Sequence, residues 1–135
     1  MLRVMLTALV LGLSLSACVT VESKTEQVAY TQVSGVVAFK EETLLPEGSS
    51  ITVAVVDANA RGQVLMSKEF DIVRLPVPFF LATPTENVNG KAKYVVWAAV
   101  KVEGINQPLL ITQAPFVEVV NNGVANALVE VKAAL

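Results

Sequence analysis

Few side chains in this 135-residue chain have a type and spacing that could do chemistry. Glu41 and Glu42 are adjacent carboxylates, and sharing a proton or a hard cation would require their oxygens to converge. On an extended chain neighbouring side chains point to opposite faces, so the pair is expected to be a solvated strand end. Asp57 and Asp71 could supply an acid. Asp57, however, opens the run Asp57-Ala58-Asn59-Ala60-Arg61-Gly62, where an aspartate bonds nearby backbone to shape a turn. Ser67 and Lys68 would have to face each other to act as a nucleophile and base, and consecutive strand positions keep them apart. The chain contains no histidine. That removes the commonest general base, the commonest transition-metal ligand and any Ser-His-Asp triad. No Asp- and Asn-rich loop has calcium-binding spacing. The expectation is a noncatalytic protein without cofactor or metal, in which the reactive group of interest is the thiol of Cys18, the single cysteine.

Cys18 closes the run Leu15-Ser16-Ala17-Cys18, a large aliphatic residue and two small ones ahead of a thiol. The run resembles the lipobox of bacterial lipoproteins. In front of it, Arg3 and the free amine form a small positive region, followed by the apolar stretch Val4 to Leu15, the pattern of a secretory signal peptide. An uncleaved anchor is the competing reading, because the uncharged run from Val4 to Val21 reaches the lower limit of the roughly 17–25 residues that span a bilayer. Thr7, Gly12, Ser14, Ser16 and Thr20 dilute that run. The resemblance implies diacylglycerol on the thiol, cleavage before Cys18, and an acyl chain such as palmitate on the new amine. Val19 stands where an aspartate retains many enterobacterial lipoproteins at the inner membrane, so the resemblance implies sorting to the outer membrane. Residues 1–17 are therefore expected to be a signal peptide, 18–31 a lipidated tether, and 32–135 the folded domain.

Positioning falls to strands. Hydrophobic residues make up 53% of the chain and its net charge is −2; there is no basic stripe, which argues against nucleic acid as a partner. From Gln32 onward the apolar residues alternate with period two. Val33, Gly35, Val37 and Phe39 share one face; Ile51, Val53 and Val55 share another; Tyr94, Val96, Ala98 and Val100 share a third. Val64, Met66, Lys68 and Phe70 alternate less cleanly, which suggests a strand near a sheet edge. Pro76 and Pro78 suggest an edge or bulge before Phe79-Phe80-Leu81, since proline cannot donate to a ladder. Leu109–Val120 and Ala125–Lys132 complete about seven strands. Asn89-Gly90 and Asn122-Gly123 are the dipeptides that accept positive φ in tight hairpins. No segment after Cys18 carries a capped helical stripe. The fold class expected is all-β, a single antiparallel β-sandwich (a small barrel being the nearest alternative).

The ordered set Val33-Ser34-Gly35-Val36-Val37-Ala38-Phe39, Leu45-Pro46-Glu47-Gly48, Ile51-Thr52-Val53-Ala54-Val55-Val56-Asp57, Val77-Pro78-Phe79 and Tyr94-Val95-Val96-Trp97-Ala98-Ala99-Val100 resembles the YbaY-like lipoproteins, related to the YscW-type pilotins of type III secretion. The likeness runs from Val33 to Val131. It implies a β-sandwich tethered to the outer membrane, facing the periplasm, whose pilotin members bind a secretin and assist its localisation or assembly. The shared residues build the fold, so none of them is assigned as a secretin contact.

One residue is singled out for contact. If Tyr94, Val96, Ala98 and Val100 face the core, Trp97 lies on the opposite face with Lys93, Val95, Ala99 and Lys101, and such an aromatic is either packing or an interface anchor. The leading functional expectation is a noncatalytic outer-membrane lipoprotein that binds or chaperones another envelope protein, with strand addition near Pro76–Leu81 as one route. A carrier or sensor of a small hydrophobic ligand and a purely envelope-structural role are the alternatives.

Overall fold

The structure is a computed structural model and describes residues 27–134. Its strands are β1 (Tyr30–Ala38), β2 (Thr43–Leu44), β3 (Ser49–Asp57), β4 (Gln63–Asp71), β5 (Arg74–Leu75), β6 (Val77–Pro84), β7 (Tyr94–Val102), β8 (Leu110–Ile111), β9 (Glu118–Val119), β10 (Asn126–Glu130) and β11 (Lys132–Ala133). They form a three-stranded sheet in the order β10-β1-β6 and a larger sheet in the order β11-β8-β7-β3-β4, with β9 also on β7. A short ribbon pairs β2 with β5.

The two sheets close over one core because the alternating aliphatics fall on their inner faces. Ile51, Val53 and Val55 on β3 and Val96, Ala98 and Val100 on β7 meet Val33 and Val37 on β1, Leu81 on β6 and Val129 on β10, all essentially solvent-free. Burying one such valine or leucine is worth about 1.5–3 kcal/mol, so this alternation is the main force selecting the sandwich. Phe39 lies one residue past β1 and still packs on the core. β1 begins at Tyr30, two residues ahead of the expected boundary at Gln32. β4 is an edge strand, as its imperfect alternation suggested.

Three expectations change. The sheets are antiparallel except for β1 and β10, which run parallel; β10 is reached by a crossover from the large sheet and arrives beside β1 in the same direction. The stretch Leu109–Val120 is two two-residue pieces with a break across Thr112–Val117, where Pro115 has no N–H to offer. Neither Asn-Gly dipeptide makes a hairpin. Asn89-Gly90 connects β6 to β7 and Asn122-Gly123 connects β9 to β10, each crossing from one sheet to the other. Gly90 does not take a positive φ, although Gly123 does, at 83°.

Side chains fix these crossings. The Asn89 N–H donates to the Tyr94 hydroxyl (3.0 Å), and Asn121 Nδ2 donates to the carbonyls of Asn89 (2.9 Å) and Ala92 (2.7 Å). The tight hairpin lies instead between β3 and β4. Arg61 (φ 54°) and Gly62 (φ 74°) are both left-handed, and Gln63 N–H donates to the Ala60 carbonyl at 3.2 Å. This is the backbone of a type I′ turn. Asp57 shapes its entry by accepting the Asn59 N–H at Oδ1 (2.9 Å), the turn role expected of it.

Candidate partner-binding surfaces

The residues first considered for chemistry do not converge. Glu41 and Glu42 are exposed in the β1–β2 connection, and Ser67, Lys68 and Asp71 are exposed along β4. Among the described residues no group of three or more histidine, cysteine, aspartate or glutamate side chains is placed to hold a metal ion. The lipobox residues Leu15, Ser16, Ala17 and Cys18 lie outside the described residues.

Trp97 has the expected orientation. It sits in the middle of β7 on the outer face of the large sheet, directly opposite Ala54 on β3. Val95, Ala99 and Ala54, which share that face, are buried, whereas Lys93 and Lys101 are exposed. Trp97 itself is half-buried. An indole on a floor of small residues, with a lysine four residues away on either side, can pack and still offer an edge to a partner.

The outer face of the small sheet is more apolar. The register places Val36 between Leu128 on β10 and Pro78 on β6, and Ser34 between Asn126 and Phe80. Leu128 is 64% exposed and Phe80 52%. Beside β10 the sandwich is open, because the regular ladder on β7 is interrupted where β8 ends. There Thr112 substitutes: its N–H donates to the Ala98 carbonyl (3.0 Å) and its Oγ1 accepts the Ala98 N–H (3.3 Å). The chain then bulges away before Val117 returns to accept the Val96 N–H (3.0 Å). The result is a cleft of about 200 Å³ with Val96 in its floor, Pro115, Phe116 and Val117 on one wall, and Leu128 and Glu130 on the other.

Sequence reasoning missed this cleft, yet two signals for it exist. Ala127, Val129 and Val131 take one face of β10 and leave Leu128 outside, and Pro115 interrupts an otherwise strand-like run.

The Pro76–Leu81 segment is at a sheet edge, as expected, but its edge is guarded. In β6 the groups of Val77, Phe79, Leu81 and Thr83 face β1, so Pro78, Phe80, Ala82 and Pro84 face outward. Two of these four outward positions are prolines and have no N–H to donate. Proline on an edge strand blunts it against further pairing.

The described residues thus form a two-sheet sandwich with dispersed charges, a filled core and an exposed apolar band. Residues 28–131 match the family described as the type III secretion system lipoprotein chaperone YscW, and the chain belongs to that family. The match lies on the YscW side of the expected relationship, and a chaperone family accords with a noncatalytic reading. The fold is similar to that of an alternative pilotin from the type II secretion system of Vibrio cholerae, with a TM-score of 0.68 and 22% identity, over 79% of this chain and 99% of the other. No curated protein matches the chain in sequence.

Proposed function

We propose that this protein is a pilotin: a lipoprotein, anchored through Cys18 in the outer membrane, whose periplasm-facing sandwich binds a secretin or a similar envelope protein of a secretion system. The family match over 28–131 carries this reading, and the apolar band Leu128–Val36–Pro78 with Phe80 gives it a surface. Residues 1–17 are the signal peptide in this reading and 18–31 a lipidated tether whose last residues, Tyr30 and Thr31, already pair in β1. Among the described residues no helix is long and apolar enough to cross a membrane. The work of the protein is then tethering and docking. Acyl chains confine the domain to the membrane surface and raise its effective concentration for membrane-bound partners. Trp97 is a second contact candidate on the opposite sheet. The carrier reading is less favoured because the apolar cleft above Val96 holds only about 200 Å³. The larger recess, of about 610 Å³, is bordered by Glu69, Asp71, Lys101 and Glu103, unlike the mostly apolar lining of small-molecule sites.

The test is envelope fractionation with clickable palmitate, followed by cross-linking and probing for the secretin. Native chain should carry label, fractionate with the outer membrane and cross-link to the secretin; Cys18→Ser should lose label and membrane association. Equal labelling of both, or no secretin adduct from the native chain, overturns the proposal.

A further inference from the structure

Among the described residues, three edge strands of five residues or more border the sandwich, and they are not equivalent. β6 turns two prolines outward. β4 directs the backbone of Leu65, Ser67 and Glu69 outward, because Met66, Lys68 and Phe70 face β3, and Lys68, Glu69 and Asp71 guard this edge with charge. β10 has no proline and a single charge, Glu130. Ser34 N–H donates to the Ala125 carbonyl and Val131 N–H to the Ala38 carbonyl. The ladder to β1 therefore uses the groups of Ala127 and Val129, and Asn126, Leu128 and Glu130 turn their N–H and C=O groups the other way. Among the described residues no partner takes them. This edge borders the cleft over Val96, so hydrogen-bonding backbone and an apolar recess lie side by side.

We infer that β10 takes up an extended segment of the partner as an added strand, antiparallel to β10, with apolar side chains in the cleft. This deepens the pilotin reading and rests on it. The register fixes the chemistry of the segment. Residues opposite Leu128 and Glu130 exchange backbone hydrogen bonds with them and share the outer face. An aliphatic residue belongs opposite Leu128, and a basic one opposite the exposed carboxylate of Glu130. The residues opposite Ala127 and Val129 point inward and enter the recess beside Pro115, Phe116 and Val117. The occupant is thus a short peptide strand reading basic, apolar, apolar, apolar, polar. Backbone pairing supplies affinity and the alternate pockets supply selectivity, as in other cases of strand addition.

The probe is the fluorescent peptide Gly-Lys-Val-Ile-Val-Thr-Gly, titrated into the full acylated chain in detergent and followed by anisotropy and amide hydrogen exchange. Binding should slow exchange at Leu128 and Glu130 by at least about tenfold. Methylating the isoleucine nitrogen, which faces β10, should weaken binding at least about tenfold. Methylating the nitrogen of either valine, which faces away, should leave it within about twofold. Glu130→Lys, a change at an exposed position, should weaken the lysine peptide about two- to five-fold and favour its glutamate counterpart. No binding, binding indifferent to which nitrogen is methylated, or protection confined to other strands overturns strand addition at β10. Secretin cross-linking by the native chain is unaffected by those outcomes and tests the pilotin reading separately.

Discussion

Gly35 is the position at which one added methyl group should do most damage. It sits in the middle of β1 opposite Ala127 of β10, and a Cβ built there would land on the Ala127 carbonyl oxygen. That atom is backbone, so no rotamer change relieves the overlap; β10 itself has to move. If it yields by a small shift, the cost is that of overpacking, about 1–3 kcal/mol. If it detaches, Val129 and Val131, each 1% exposed, lose their burial, about 3–6 kcal/mol at ~1.5–3 kcal/mol per valine. Against this, alanine restricts the unfolded chain and returns about 0.4–1 kcal/mol. A net loss of about 2 kcal/mol is expected for Gly35→Ala, which at ~4–8 °C per kcal/mol lowers Tm by about 8–16 °C. Thermal unfolding followed by circular dichroism measures it. Gly90→Ala is the matched control: nothing lies within 4 Å of its Cβ position and φ is not positive, so Tm should stay within about 2 °C. Equal Tm values for Gly35→Ala and the native protein would refute the close approach of β10 to β1.

Other substitutions probe the crossings and surfaces. Thr112→Val keeps the volume but leaves the Ala98 N–H without its acceptor, and should cost about 1–3 kcal/mol in chemical denaturation. Tyr94→Phe removes the hydroxyl that accepts the Asn89 N–H and should cost about 0.5–1.5 kcal/mol by the same measurement. Arg61→Asn places Asn-Gly in the type I′ turn and relieves a side chain held at positive φ, so stability should rise by about 1 kcal/mol. Trp97→Ala, in a chain that still unfolds cooperatively, should weaken secretin binding by about tenfold or more if the indole is an anchor; unchanged affinity assigns it to packing.

Strand identity was legible in the sequence because a half-buried strand writes its burial in alternate residues. Val33 and Val37, Ile51 to Val55, and Tyr94 to Val100 face the core as their spacing requires, and Trp97 faces away for the same reason. The pairing of strands was not legible, since it depends on which sheet a connection enters. Asn89-Gly90 and Asn122-Gly123 have hairpin chemistry, yet each joins strands from different sheets. The turn that does close a hairpin uses Arg61-Gly62, where the ladder between β3 and β4 overrides the weak local preference of arginine. The parallel approach of β10 was hidden for a related reason. Gly35 was readable as a core-face position without a side chain, but only the neighbouring strand reveals that the Ala127 carbonyl occupies that space.

The same geometry explains how an anchored sandwich could leave one edge open without assembling on itself. An unguarded strand edge on a freely diffusing domain invites pairing with other copies, and natural sheets suppress this with proline and charge. Here Pro78 and Pro84 protect β6, and Lys68, Glu69 and Asp71 protect β4, so of the longer edge strands among the described residues the five-residue β10 is the open one. Glu130 on that edge disfavours a second copy added in the register argued above for a basic partner. In an antiparallel dimer about Leu128 it would face Asn126, giving up the ion pair that a lysine-bearing strand gains. In the proposed reading, the chain from a lipidated Cys18 to Tyr30 would span at most about 40 Å at ~3.3 Å per residue. Such a length would let the domain turn β10 toward a partner at the membrane surface while keeping it within the volume that raises effective concentration. On the proposed reading, protection of β4 and β6, exposure of β10 and a short leash are parts of one arrangement, in which self-association is held down while a membrane-bound partner is favoured.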